Sequence, residues 1–205
     1  GRMAKPGQRV RKTWSGLEYD AAANRWDFRL QWVQRNLTYP PLPTHLSEDS
    51  MVVACCIHAG YIYSDCPYYL ARTPEVMIQH EVPILVNCGD NVAGRKHYLL
   101  ERGEIHPALF KVSDQEKFAG LLHGRVLLKV FEFRIAREIA AAANEGRRFE
   151  RASPELAAAV ESSLPWFVYI AGNHDRWIES EGVEPLLIMR SEMTKEIISG
   201  IAGKL

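Results

Sequence analysis

The sequence predicts an α/β domain, a layered sheet with flanking helices and parallel strands. Three observations carry this expectation. Three short apolar runs, 51–60 (MVVACCIHAG), 82–88 (VPILVNC) and 166–171 (WFVYIA), are rich in β-branched, aromatic or small apolar residues. Each run stops abruptly at glycine and polar residues. Segments with helical character lie between them, and alternating strand and helix is what a parallel sheet with crossover helices requires.

Taken in order, residues 1–12 carry Arg2, Lys5, Arg9, Arg11 and Lys12 and no acid. This segment reads as a solvated terminus or as a basic arm able to touch phosphates. Segment 19–37 (YDAAANRWDFRLQWVQRNL) mixes apolar and charged residues without Gly or Pro and predicts a helix. The Pro-rich 39–49 (YPPLPTHLSED) breaks it and reads as a linker. Residues 1–48 are therefore expected to be an arm, a helix and a linker, and 49–205 the folded domain. Within that domain, 51–60 is a buried strand, 74–80 a short helix and 82–88 a second buried strand. Segment 113–144 is the longest helical signal. Ser113 and Glu116 make a capping box. Phe118, Leu121, Leu122, Val126, Val130, Phe131 and Ile135 form an apolar stripe for the core. The AREIAAAAN segment has high helix propensity, and Gly146 closes the helix. Ser153-Pro154-Glu155 opens another helix, with Pro in its first turn, that runs to about Ser163. The helical insert 113–163 is a candidate cap over a site or an oligomer surface. Pro165 then leads into the third buried strand, and a last helix is expected near 190–200.

Composition narrows the function classes. The chain has 205 residues, with 25 Lys and Arg against 25 Asp and Glu, so no global charge draws it to nucleic acid or anionic lipid. The four cysteines, Cys55, Cys56, Cys66 and Cys88, contain no CxxC pair, which fits a reducing, cytoplasmic setting. No apolar run has the length of a membrane span, and the basic N-terminal stretch has no following apolar segment to make it a signal peptide, so no membrane partner is expected.

The three expected strands end in Cys56-Ile57-His58-Ala59-Gly60, Gly89-Asp90-Asn91 and Gly172-Asn173-His174-Asp175. Ligands of open parallel sheets gather at the carboxyl ends of the strands, so these segments are expected to converge. His, Asp and Asn are donors for divalent metals, and the neighbouring glycines let the backbone turn sharply beside an ion or a phosphate. Taken alone, 172–175 also suits a plain strand-to-turn junction.

The ordered set H-x-G, G-D and G-N-H-D, each after an apolar strand, resembles the metallophosphoesterase (calcineurin-like phosphoesterase) superfamily over residues 51–177. That family's pattern is D-x-H, G-D and G-N-H-D/E, followed by a distal His and a G-H-x-H. The resemblance implies an α/β/β/α sandwich that hydrolyses phosphate esters with two divalent metal ions (Mn, Fe or Zn). Carried over, it makes Asp90 the carboxylate bridging both ions, His58 a ligand of the first and Asn173 a ligand of the second. His174 would stabilise the transition state and protonate the leaving oxygen, and Asp175 would orient His174 by a hydrogen bond. Asn91 and Arg95 are candidates for supporting or binding the substrate phosphate.

This chain departs from the pattern in two places. Cys56 stands where the family has its first Asp ligand, and a thiolate suits zinc or iron better than manganese or magnesium. Asp65 is an alternative donor. In addition, no His or Cys follows Asp175, so the distal His and the G-H-x-H have no counterpart. The resemblance then implies a partial sandwich without its C-terminal sheet, in a piece of a longer protein or a shortened descendant. With few protein ligands, the metal would bind weakly. The bare sheet face and the apolar 185–189 (PLLIM) would be exposed, predicting a homo-oligomer or a missing C-terminal segment. Two functions follow. One is metal-dependent hydrolysis of a phosphate mono- or diester, as a phosphatase or nuclease. The other is a degenerate, non-catalytic module that binds a partner, such as nucleic acid, through the 1–12 arm. Fold does not choose the substrate.

Overall fold

The computed structural model describes residues 17–20, 25–28, 50–61, 64–94 and 105–204. The basic arm 1–12, the Pro-rich 39–49 and Arg95 lie outside these residues. Strands β1 (Leu17–Asp20) and β2 (Arg25–Phe28) pair antiparallel in a sheet of their own. This corrects the helix expected over 19–37 at residues 19–20 and 25–28, and the rest of that segment lies outside the described residues. The sequence alternates apolar and charged residues in Leu17-Glu18-Tyr19-Asp20 and again in Trp26-Asp27-Phe28. That period of two belongs to strands and was outweighed by the absence of Gly and Pro.

The α/β core follows. β3 (Met51–Ala54), β4 (Ile84–Asn87) and β5 (Trp166–Tyr169) form a parallel sheet in the order β3-β4-β5. The helices are α1 (Cys66–Gln79), α2 (Val112–Asn144), α3 (Pro154–Ser163) and α4 (Leu187–Ala202). Short 3-10 turns lie at Pro107–Leu109 and Asp175–Glu181. No described helix is long and apolar enough to cross a membrane.

The strands are half-buried rather than buried. Register aligns Val52, Leu85 and Phe167 across the sheet, and this parity packs with Met77, Phe118, Leu122 and Met189 in the main core. Side chains alternate between the two faces of a strand. The other parity therefore points away from the helices, leaving Met51, Val53, Trp166 and Val168 between 48% and 73% exposed. The expected apolar sheet face is thus present. The segment 185–189 shares that exposure only in part, because Leu186 and Met189 are buried where α4 starts while Leu187 is exposed.

α1 is longer than the expected 74–80. It opens with Pro67 in its first turn, where a missing N–H costs nothing, and continues through Pro74. α2 spans 33 residues, about 50 Å. It is no cap, since its first half lies in the main core with Phe118, Leu122 and Val130 fully buried. The Ser113–Glu116 capping box is also absent, because Lys111 is the N-cap and no side chain caps there. Glu116 instead reaches across to cap α4. Its carboxylate accepts from the backbone N–H of Leu186 (2.9 Å), Ile188 (3.1 Å) and Met189 (3.3 Å). A carboxylate at a helix N-terminus satisfies open N–H groups and complements the helix dipole. At α3 the expected cap forms, with Ser153 Oγ accepting from Leu156 N at 3.1 Å.

α4 lies close against α2 because α2 has glycines where they meet. A Cβ on Gly120 would sit 2.4 Å from the Met189 carbonyl oxygen, and one on Gly124 would sit 2.9 Å from Glu196 Cβ. Gly120→Ala is expected to destabilise the fold by about 2 kcal/mol. Overpacking against backbone costs 1–3 kcal/mol or more, which exceeds the roughly 1 kcal/mol gain in helix propensity. A lowered denaturant midpoint in circular dichroism checks it, and an unchanged midpoint refutes the close approach.

Candidate metal centre

The loops after β3 and β4 run side by side beyond the sheet. Cys88 N donates to Ala54 O (2.9 Å), Cys56 N to Gly89 O (3.2 Å), His58 N to Asp90 O (2.9 Å) and Ala59 N to Asn91 O (2.8 Å). This zipper brings Cys56, His58 and Asp90 together. Their ligand atoms, a sulfur, an imidazole nitrogen and a carboxylate oxygen, lie within 4.8 Å of one another. It is the one such group of three among the described residues.

The backbone is strained where the donors sit. Cys56 (φ 53°), His58 (φ 46°) and Asp90 (φ 52°) are all left-handed. Non-glycine residues visit this region rarely, and strain of this kind collects at functional sites. The third strand end closes on the other two through glycine. A Cβ on Gly172 would sit 2.2 Å from Asp90 Oδ1 and 2.4 Å from Asp90 N, and Gly89 faces the Gly172 backbone in turn. His174 N donates to Asp90 Oδ1 at 3.1 Å, which fixes the carboxylate. The His174 ring stands edge-on to His58, with centroids 4.6 Å apart. The three strand ends thus converge as expected.

The donors suit a metal. His58 Nδ1 is buried without a hydrogen-bond partner. Burial, and then the neighbouring His174, holds the His58 pKa below its usual value, against the pull of Asp90. The ring is therefore neutral at pH 7, the form that ligates. Burial raises the Cys56 thiol, with Cys55 and Asp90 adding to the rise. A bound cation reverses that balance by displacing the thiol proton. Sulfur, imidazole and carboxylate together match zinc or iron better than magnesium.

The remaining expected site residues fall into different places. Asp175 does not take the role of orienting the His174 ring. Its buried carboxylate accepts from Val92 N (3.0 Å), Asn91 Nδ2 (3.1 Å) and Gly172 N (2.9 Å), so it ties the β4 loop to the β5 loop. The His174 ring is held instead by its Nδ1, which donates to Ala93 O at 2.7 Å. Asn91 does not reach substrate. It is fully buried, and its two amide atoms are used by Asp175 and by His123 at 2.8 Å. Asn173 is exposed in the turn between Gly172 and His174. Asp65 is the exposed N-cap of α1 and is not part of the donor group. Trp177 lies beside the site, and a Cβ on Gly94 would come within 2.9 Å of its Cδ1.

Two supporting residues on α2 escaped the sequence reading. Gln115 is buried and clamps the β4 loop, accepting from Gly94 N (2.8 Å) and donating to Gly94 O (3.2 Å) and Leu109 O (2.9 Å). His123 is buried and joins Tyr69 Oη (2.7 Å) to Asn91. The signal for both was a polar residue on the apolar side of a helix, eight positions apart and so on one face. Comparison of the chain with protein-family models, curated proteins and solved structures returns no match.

Proposed function

We propose that this chain is a divalent-metal-dependent phosphoesterase that hydrolyses a phosphate mono- or diester. The observation that supports the reading is the meeting of Cys56, His58 and Asp90, each in a left-handed backbone, beside His174. Cys56, His58 and Asp90 hold the ion, with zinc or iron the best match to the sulfur donor. A second ion at Asp90 and Asn173 belongs to the fuller form of the proposal, as the family resemblance implies. Bound metal supplies Lewis-acid polarisation of the phosphate and a water that ionises near neutral pH.

The chain's own groups do the rest. Asp90 brings negative charge, and the His174 N–H keeps its oxygen in place. The Ala93 carbonyl fixes the proton of His174 on Nδ1. Nε2 is then the ring atom left to pass a proton to the leaving oxygen, which makes His174 the general acid. Asp175 and Asn91 hold the two loops at the spacing this needs.

The test is hydrolysis of an aryl phosphate by the purified chain with zinc, iron or manganese added. Expected is turnover that a chelator removes and that His174→Gln lowers about 10²–10⁴-fold, the usual contribution of a general acid. Metal-dependent turnover untouched in both His174→Gln and Asp90→Asn would sink the assignment. A non-catalytic reading is kept by one observation, that a single three-donor group occurs among the described residues. Zinc retained by the wild type with no turnover of any phosphate ester favours that reading.

A further inference from the structure

A cavity of about 170 Å³ lies where β4 begins, at the other end of that strand from the loop of Asp90. Ile78, Pro83 and Phe133 make its apolar walls, and Glu81, Arg134 and Arg137 its charged ones. Arg134 and Arg137 are one turn apart on α2, so they share one face of the helix. The charges here do not balance. Glu81 pairs with Arg137. Arg134 donates through Nη2 to Val82 O at 2.8 Å, and among the described residues no carboxylate lies within ion-pair reach of it. Two guanidiniums therefore face one carboxylate. Burial, and then the charge of Arg137, push the Arg134 pKa down, with Glu81 opposing. The guanidinium stays charged all the same, because its ordinary pKa lies far above neutrality. A half-buried cation without a counter-ion is costly, and an anion in the cavity offsets that cost. Phe133 is an independent sign. It is 47% exposed, whereas Phe118 and Phe131 of the same helix are buried. An aromatic side chain left open in a concave cationic site offers apolar surface to a ligand.

We propose that this cavity binds a small organic carboxylate, with its anionic end on Arg134 and its apolar body against Phe133, Ile78 and Pro83. The guanidinium fork matches a carboxylate in a bidentate pair. One negative charge balances the excess, which a phosphate dianion would overshoot. The volume sets the size of the ligand. It is below the roughly 300–1,000 Å³ of pockets for drug-sized molecules, so a compound about as large as benzoate fits the space. The site shares no residue with the candidate metal centre, and it stands whether or not that centre is catalytic.

Calorimetric titration of the full chain with sodium benzoate at low ionic strength tests the proposal, with a chelator present so that no metal-bound carboxylate contributes. Expected is saturable binding at one site with a Kd on the order of 1 mM, and no binding of neutral benzamide. Arg134→Gln weakens benzoate by about tenfold or more, through loss of charge-assisted hydrogen bonds. Arg147→Gln, at an exposed arginine outside the cavity, leaves the Kd unchanged. If Arg134→Gln loses the helical circular dichroism of the wild type, Phe133→Ala decides by the same titration, with weaker binding expected. Absence of saturation at about ten times that concentration overturns the proposal, as does equal affinity in the wild type and the cavity variants. So does benzamide binding as tightly as benzoate, since no cation is then needed. Inorganic phosphate binding more tightly than benzoate overturns it too, since the apolar walls then contribute nothing.

Discussion

Gly172→Ala is expected to abolish metal retention and phosphate-ester turnover together, and to lower stability by about 3 kcal/mol. The reason is steric and local. The added Cβ would fall 2.2 Å from Asp90 Oδ1 and 2.4 Å from Asp90 N. Moving the carboxylate alone does not relieve this, because the backbone nitrogen of the same residue is also struck. Moving that backbone pulls on the zipper in which Cys56, His58 and Ala59 donate to Gly89, Asp90 and Asn91. All three donors then shift, and metal affinity depends on ligand geometry at a tolerance of about 0.2 Å. Zinc content by elemental analysis, aryl phosphate turnover and a denaturation midpoint read the three losses. A Gly172→Ala protein with wild-type zinc content and turnover would show that the β5 loop does not set the position of Asp90.

Much of the α/β core was legible in the sequence because its signals are local. The apolar runs before His58, Asp90 and Asn173 gave the three strands, and Ser153-Pro154 gave a helix start that forms as expected. What went unread was decided by partners far along the chain. Glu116 sits three residues after Ser113, the spacing of a capping box, yet its carboxylate binds the N-terminus of α4. Asp175 follows His174 directly, yet its three donors come from the β4 loop and Gly172. Neither choice leaves a trace in local spacing. The candidate donors Cys56, His58 and Asp90 were readable because strand ends of a parallel sheet must share one edge. Their left-handed backbone was not, since none of the three is glycine. The β1–β2 pair was misread for a different reason: residues 19–28 contain strand-like alternation and helix formers together, and the pairing of Leu17–Asp20 with Arg25–Phe28 goes with the alternation.

The second large effect is acid sensitivity carried by His123. Its tautomer follows from its neighbours. Asp175 can only accept, so Asn91 donates to it through Nδ2 and turns Oδ1 toward His123. His123 Nε2 therefore carries the proton, and Nδ1 accepts from the Tyr69 hydroxyl. Full burial pushes the His123 pKa down to about 3. In the unfolded chain the imidazole titrates near 6.5. Between these values the unfolded state binds the additional proton, so stability rises with pH there. The contribution is fully present above about pH 6.5 and is lost as pH falls toward 3. A difference of that size corresponds to roughly 4–5 kcal/mol, a large part of the 5–15 kcal/mol that holds a typical domain together. Denaturant midpoints measured from pH 7 to pH 4 should fall steeply in the wild type. In His123→Gln the neutral-pH stability is lower by about 1–3 kcal/mol, because Tyr69 and Asn91 lose their matched partner. Its decline below pH 6.5 is shallower, because the titrating group is gone. Parallel pH profiles for the two proteins would mean that His123 is not held neutral between Tyr69 and Asn91. The relay would then not be what fixes Asp175 under the candidate centre.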